Sequence, residues 1–251
     1  MIAIYSHWSL PCSNGRLHGK LPNEYFLAYL TLSVKYARLF FDKVIMFTDT
    51  GGKETFEKYK TRSEILTNTT YLPFDKIETI LDGVPHPKNF WAIGKIYAYQ
   101  YASIVYKTPF IHFDYDSHFV LDIIPQIKNK RIIVEHIENE NMYCRYENYG
   151  LKKNRYAYNT GVFGGCDLKH IAEYCEGALE IADKLRRFTS ENLISCMFEQ
   201  KYLYDFCQAK GIIPYTILPN HKFEYTHFWS AKSEPANYIN TVNKLMSVYG
   251  T

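Results

Sequence analysis

Apolar side chains follow two spacings along this chain. Short continuous apolar runs predict buried strands, and longer stretches with apolar residues three and four apart predict helices with one buried face. In residues 23–42, for example, Leu30, Val34 and Ala37 recur at the helical spacing. The pattern changes from one spacing to the other repeatedly, which predicts a chain in which strands and helices alternate.

The predicted elements fill most of the chain. Strands are predicted at residues 1–5, 44–47, 70–74, 110–113, 131–136, 157–163 and 213–218. Helices are predicted at residues 23–42, 53–66, 89–106, 167–187, 190–209 and 235–249. Their alternation in the first half predicts a mostly parallel sheet covered by helices on both faces. No repeat or linker interrupts the pattern, so residues 1–251 are predicted to form a single α/β domain.

Polar side chains cluster where several predicted strands end. The clusters are Tyr5-Ser6-His7, Thr48-Asp49 and Asp114-Tyr115-Asp116. In sheets of this kind a ligand binds at the carboxyl ends of the strands. The topology therefore predicts that all three clusters lie on one edge of the sheet.

Charge and cysteine content narrow the class of protein. The net charge is +3 and the charged residues are interspersed, so nucleic-acid binding is not predicted. None of the six cysteines forms a C-x-x-C pair, which argues against a structural zinc site. The first ten residues do not resemble a signal peptide, and no apolar run is long enough to span a bilayer. Reduced cysteines in a cytoplasmic protein are the expectation.

Asp114 and Asp116 form the only Asp-x-Asp sequence in the chain, directly after a predicted apolar strand. Side chains two residues apart on a strand point the same way, and paired carboxylates suit a hard cation such as Mn²⁺ or Mg²⁺. Such a cation could neutralise the leaving diphosphate of a nucleotide-sugar. A solvated acidic turn is the alternative interpretation.

Residues 109–120 resemble the D-x-D segment of GT-A glycosyltransferases. The order of neighbouring features is similar to that of the glycogenin-like and lipooligosaccharide galactosyltransferase families and of small bacterial polysaccharide-synthesis transferases. The resemblance implies a Rossmann-like GT-A domain that moves a hexose from a nucleotide-sugar, a UDP-sugar, to a glycan or other hydroxyl acceptor. It also implies a role in polysaccharide biosynthesis, a Mn²⁺ or Mg²⁺ cofactor and retention of the anomeric configuration.

Two further segments match these families in the middle of the chain. Lys95 interrupts an apolar helical stripe, so it should have an anionic partner, and the families carry a basic residue here that reaches the donor. Asn159 and Gly161 match an N-x-G segment in which the Asn faces the sugar, and Gly164 directly follows the predicted strand. The alternative for Lys95 is a surface lysine whose ammonium reaches water. The alternative for the Asn159 segment is a strand with a bulge.

The last third of the chain supplies the remaining candidates. Glu199 and Gln200 match an acidic-Gln pair that the families place beside the anomeric carbon, where either residue would stabilise an oxocarbenium-like centre or contact the acceptor. His227 matches a histidine that completes the metal site with Asp114 and Asp116, and Lys232 a lysine that binds the diphosphate. The family's glycine between them is absent and the spacing is one residue shorter, which puts Lys232 in more doubt.

The sequence thus predicts three groups of site residues. The catalytic group is Gln200, Glu199 and Asn159, and the metal ligands are Asp114, Asp116 and His227. The donor-binding group is Tyr5, Ser6, Thr48, Asp49, Lys95, Asp114, Tyr115, Asp116, Gly164 and Lys232. The acidic residues between Glu135 and Glu140 are predicted to form a solvated edge instead of lining the acceptor cleft.

Two other functions remain open at this point. A catalytically degenerate transferase fold would bind a nucleotide or glycan without turnover, and the irregular spacing of His227 and Lys232 supports it. Haloacid-dehalogenase-type phosphatases also use Asp-x-Asp after an apolar strand. They place it on the first strand and need a later acidic pair, and this chain has no such pair.

Overall fold

In a computed structural model of the chain, residues 1–9, 23–59, 74–85, 92–188 and 192–227 are described. The strands are β1 Ile2–His7, β2 Val44–Thr48, β3 Lys76–Glu78, β4 Phe110–Phe113, β5 Ser117–Phe119, β6 Ile133–Asn139, β7 Tyr156–Gly165, β8 Tyr215–Thr216 and β9 Tyr225–His227. The helices are α1 Asn23–Phe40, α2 Thr50–Tyr59, α3 Ala92–Tyr101, α4 Ile124–Ile127, α5 Leu168–Phe188 and α6 Asn192–Lys210. Helix α3 continues as a π-helix over Ala102–Tyr106, and a 3₁₀-helix spans Asn141–Tyr149.

Seven of the described strands form one sheet in the order β3-β2-β1-β4-β7-β6-β8. Strand β1 runs parallel to β2 and β4, β2 runs parallel to β3, and β6 runs parallel to β8. Only β7 runs antiparallel to its neighbours, β4 and β6. The sheet is therefore mostly parallel, as the alternation of strands and helices predicts.

Both faces of this sheet are buried. Ile2 and Ile4 of β1 belong to one apolar core, which also contains side chains of α3, α5 and α6. Ala3 and Tyr5 point to the opposite face and belong to a second core with α1. Alternate residues of a strand face opposite sides, so a strand covered on both sides reads as a continuous apolar run. This explains why β1, β2 and β4 are visible in the sequence.

The carboxyl ends of β1, β2 and β4 lie side by side. His7 is paired with Thr48, and β4 lies on the other side of β1. The three polar clusters that follow these strands consequently share one edge of the sheet, which confirms the topological prediction.

The short elements differ most from the predictions. Strand β3 begins at Lys76, after the predicted strand at 70–74, of which only Phe74 is described. Only Tyr215–Thr216 remains of the strand predicted at 213–218. The helix predicted at 53–66 begins earlier, at Thr50, and its part beyond Tyr59 lies outside the described residues, as does the helix predicted at 235–249.

Strands β5 and β9 were not predicted, and they form a separate two-stranded antiparallel ribbon. Its register places Ser117 opposite His227 and Phe119 opposite Tyr225. Helix α1 packs against β5. The ribbon brings a segment from the last third of the chain next to the turn that follows β4.

Candidate active site

The turn after β4 carries Asp114 and Asp116. The backbone N–H of Asp114 donates to the carbonyl oxygen of Gly161 at 2.8 Å, and that of Ser117 donates to the carbonyl oxygen of Asp114 at 2.9 Å. These bonds hold the turn against β7. The side chain of Asp114 is partly exposed, whereas Asp116 is buried. Both carboxylates are therefore fixed at the edge predicted to bind a ligand.

His227 joins the two aspartates through the β5–β9 ribbon. Its Nε2 lies 3.4 Å from Oδ1 of Asp116. One ligand atom each from Asp114, Asp116 and His227 lie within 4.8 Å of one another. Two carboxylates and one imidazole make a donor set suited to a divalent transition metal such as Mn²⁺. The residues that the sequence predicts as metal ligands are thus brought together.

Glu135 of β6 lies behind His227. It is fully buried, and its two carboxylate oxygens lie 3.0 and 2.8 Å from Nδ1 of His227. Burial lowers the pKa of His227, but its contacts with Asp116 and Glu135 outweigh burial and raise the pKa to about 9. The prediction of a solvated edge is wrong for Glu135, because β7 and β9 cover it.

Gly161 provides the space for this contact. A Cβ atom at Gly161 would lie 2.1 Å from Oε2 of Glu135 and 2.7 Å from Cε1 of His227. Both distances are shorter than any real contact of a Cβ atom, so a larger residue would displace one of the two side chains. The glycine of the Asn-x-Gly segment is therefore required by the geometry of the site.

Lys95 of α3 pairs with the first aspartate. Its Nζ lies 2.5 Å from Oδ1 of Asp114, and the lysine is buried. This confirms the expectation that Lys95 has an anionic partner. The Lys95 charge thus lies beside one of the candidate metal ligands, where it can act on an anionic ligand.

Glu199 of α6 is a buried carboxyl near the lysine. Thr160 donates a hydrogen bond to Glu199 at 2.9 Å. Burial raises the pKa of Glu199 to about 7, although the charge of Lys95 and the bond from Thr160 act in the opposite direction. Glu199 can therefore exchange a proton near neutral pH.

Asn159 and Gln200 lie at the two ends of one hydrogen-bond network. The amide nitrogen of Asn159 donates to Oε1 of Glu138 at 2.7 Å, and its Oδ1 accepts from the backbone of Gly161 at 2.8 Å. Tyr143 donates to Glu138 and lies 3.1 Å from Oε1 of Gln200. Glu138 and Tyr143 were not predicted as site residues, and Glu138, like Glu135, does not form a solvated edge.

Ser6 and Asp49 of the predicted donor-binding group lie at the same sheet edge. Ser6 Oγ contacts His112 Nε2 at 2.9 Å. The carboxylate of Asp49 accepts hydrogen bonds from Ser9 and from the backbone of Gly52, which caps the start of α2. Asp49 therefore has a structural role at this edge. Thr48 is buried beside Asp49, and Tyr115 lies partly buried between the two aspartates.

Tyr5 and Gly164 lie in packing positions. Tyr5 is buried in the second core, where its hydroxyl is hydrogen-bonded with Ser33 at 2.8 Å and its ring stacks on Phe113. A Cβ atom at Gly164 would lie 2.0 Å from the carbonyl oxygen of Phe110, so close strand packing requires this glycine. Their environments give them packing roles, and Lys232 lies outside the described residues.

Comparison with known protein families assigns the chain to one of them. The sequence profile of one family matches residues 1–246. The chain belongs to DUF6734, a family of unknown function. No curated protein matches this DUF6734 chain.

Several solved structures similar to this DUF6734 chain are glycosyltransferases. The galactosyltransferase LgtC, solved with donor and acceptor sugar analogues, has a TM-score of 0.50 at 10% identity, covering 100% of this chain and 97% of that chain. GlyE of Streptococcus pneumoniae TIGR4 has a TM-score of 0.45 at 10% identity, covering 98% and 63% respectively. Mouse xyloside xylosyltransferase 1 has a TM-score of 0.43 at 10% identity, covering 96% and 93%. The likeness to LgtC shows that this DUF6734 chain has the predicted GT-A fold.

The structure also bears on membrane insertion of this DUF6734 chain. Among the described helices, none combines the length and the apolar character that a bilayer span requires.

Proposed function

We propose that this protein is a metal-dependent glycosyltransferase that moves a hexose from a nucleotide-sugar to a hydroxyl acceptor. The observation that carries the proposal is the Asp114, Asp116 and His227 cluster at the carboxyl edge of the parallel strands, within 4.8 Å. This edge is where sheets of this class bind their ligands. Such a cluster could serve other reactions, but the GT-A fold supports sugar transfer by analogy with transferases of the same fold.

Asp114, Asp116 and His227 would hold the cation, for which we propose Mn²⁺, with Mg²⁺ as the alternative. The bound cation would supply a Lewis acid for the leaving diphosphate. Lys95, whose Nζ lies 2.5 Å from Oδ1 of Asp114, adds a positive charge beside the proposed cation site. A desolvated charge acts more strongly than one in water, so Lys95 favours an anionic donor in this position.

Three residues are proposed to act on the sugar. Gln200 and Asn159 are held by Tyr143 and Glu138, which fix their amides before the ligand binds. Preorganised dipoles of this kind stabilise charge that develops in a transition state. Glu199 lies in the same helix as Gln200 and supports the electrostatics of the site through Lys95.

The finer assignments rest on the resemblance to GT-A families. We propose a UDP-sugar donor, a glycan or other hydroxyl acceptor, a role in polysaccharide biosynthesis, and retention of the anomeric configuration. Ser6, Thr48 and Tyr115 are proposed contacts of the nucleotide, because they lie at the shared strand edge, and Lys232 is a proposed contact of the diphosphate. NMR of the earliest product reports the anomeric outcome, and an inverted linkage contradicts retention.

A thermal-shift panel of nucleotide-sugars with and without Mn²⁺ tests the function. At a donor concentration about 100 times Kd, linkage predicts an increase in Tm of roughly 5–10 °C with metal. The matched variants are Asp116→Asn and Asp42→Asn, since Asp42 is exposed and precedes β2 at the opposite edge of the sheet. Only Asp116→Asn should abolish the shift. An equal metal-dependent shift in Asp116→Asn, or none in the wild type, contradicts the proposal.

A further inference from the structure

Glu135 occupies a position that the three proposed metal ligands do not account for. It is the first polar residue after the apolar run Ile132, Ile133 and Val134, and it is fully buried. A buried carboxylate is unfavourable unless it accepts hydrogen bonds from charged or polar neighbours. His227 is the closest of these, with Nδ1 at 2.8 Å, and Nδ1 of His136 lies 3.6 Å from the same carboxylate.

The contact distinguishes the two ring nitrogens of His227. Nδ1 faces Glu135, whereas Nε2 faces Asp116 at 3.4 Å. A neutral imidazole carries its hydrogen on one nitrogen only, and the other nitrogen is the one that binds a cation. A cation that binds His227 must displace one of its protons, and a carboxylate at Nδ1 keeps the remaining hydrogen there. The electron pair that binds the cation is then at Nε2, on the side of the two aspartates.

The surroundings of Glu135 keep it in this position. Gly161 leaves just enough room for it, because a Cβ atom there would lie 2.1 Å from Oε2 of Glu135. Strand β6, which carries Glu135, is paired with β7, which carries Gly161. The backbone N–H of Leu218 also donates to the carbonyl oxygen of Glu135 at 2.7 Å. The sheet therefore fixes the carboxylate before any metal binds.

We infer that Glu135 is a positioning residue for the metal site, which accepts the Nδ1 hydrogen of His227 and so directs Nε2 toward the cation. This inference rests on the proposed function, since it requires a cation at Asp114, Asp116 and His227. Partners of metal-bound histidines typically contribute 10-fold to 100-fold to metal affinity. Glu135 would act through His227 and would not touch the donor sugar.

Two variants of Glu135 test the inference in the full-length protein without donor. Glu135→Gln keeps the size of the side chain and removes its charge, whereas Glu135→Asp keeps the charge and withdraws the carboxylate from Nδ1. The Mn²⁺ dissociation constant is measured from the electron paramagnetic resonance signal of free Mn²⁺. Glu135→Gln is expected to weaken Mn²⁺ binding about 10-fold to 100-fold, and Glu135→Asp is expected to weaken it by a smaller factor. Glu135→Gln preserves the size of the side chain and Glu135→Asp preserves its charge, so a larger loss of affinity in Glu135→Gln is a result that a packing effect alone would not give.

Glu140→Gln is the matched control. Glu140 lies just past the end of the same strand and is exposed, so the same chemical change there should leave Mn²⁺ binding unchanged. Wild-type affinity for Mn²⁺ in either folded Glu135 variant overturns the inference. That result leaves the proposed function supported if Asp116→Asn abolishes Mn²⁺ binding. Absence of Mn²⁺ binding in the wild type overturns both the inference and the metal dependence of the proposed function.

Discussion

At the scale of single residues, the site depends on how closely Gly161 is enclosed. Its missing side chain lets Glu135 and His227 meet, and a Cβ atom would lie within 2.7 Å of both. The sequence marks Gly161 only as part of an Asn-x-Gly segment. The reason for the glycine is a contact between residues that are far apart in the chain, and no local pattern contains it.

Gly161→Ala should lower Mn²⁺ affinity at least about 10-fold, because the added methyl group displaces the residue that orients His227. Isothermal titration of the metal-free protein measures this. Gly83→Ala is the control, since a Cβ atom there meets nothing within 4 Å while φ is +73°. The control should cost roughly 1–2 kcal/mol of stability, because an L side chain is strained at this φ, without changing metal affinity. Unchanged Mn²⁺ binding in Gly161→Ala would show that the site tolerates the methyl group.

Glu199 gives the stability of the protein a defined pH dependence. Its pKa is raised to about 7 in the folded chain from 4.5, so folding favours the protonated form. The resulting stabilisation is fully present below pH 4.5 and is lost as the pH rises through about 7.

Glu199→Gln should therefore flatten the decline of unfolding free energy between about pH 5 and pH 8, since glutamine cannot lose a proton. Urea denaturation at a series of pH values measures the difference between the wild type and the variant. Glu176→Gln, an exposed site on α5, should follow the wild-type curve. Parallel curves for Glu199→Gln and the wild type would show that burial does not raise this pKa.

At the scale of elements, the β5–β9 ribbon determines whether His227 reaches the two aspartates. It pairs Ser117 with His227, and Phe119 packs in the second core beside Tyr225, with ring centroids 6.0 Å apart. Three-residue strands are too short to show an alternating pattern, so the sequence does not predict this ribbon. It does predict β1, β2 and β4, because burial on both faces makes them continuous apolar runs.

Phe119→Leu should weaken Mn²⁺ binding as well as stability, because a cavity beneath β5 loosens the strand that holds His227. The expected loss of stability is about 1–2 kcal/mol. Phe56 on α2 is similarly buried in the same core and packs against Phe74, so Phe56→Leu should cost similar stability at unchanged metal affinity. Equal Mn²⁺ affinities for the two variants would show that the ribbon does not determine the position of His227 in the site.

At the scale of the whole molecule, the parallel order of β2, β1 and β4 places three strand ends on one edge of the sheet. That much follows from the alternation of strands and helices, and Asp114, Asp116 and His227 come together at this edge. What each side chain does at the edge does not follow from it. Asp49 caps α2 and Tyr5 faces the core, because the direction of a side chain depends on the residues that pack around it. Glu135 follows an apolar run just as Asp114 does, which is the one sequence feature that indicates it.

We propose that the Asp114, Asp116 and His227 cluster supports metal-dependent cleavage of a nucleotide-sugar. The test is release of the nucleoside diphosphate, measured by chromatography over a panel of nucleotide-sugars with and without Mn²⁺, since slow hydrolysis of the donor needs no acceptor. We expect release of the diphosphate from at least one donor with Mn²⁺, loss of that release in Asp116→Asn, and unchanged release in Asp42→Asn. Metal-dependent donor binding without any release of diphosphate, or equal release by wild type and Asp116→Asn, would contradict it.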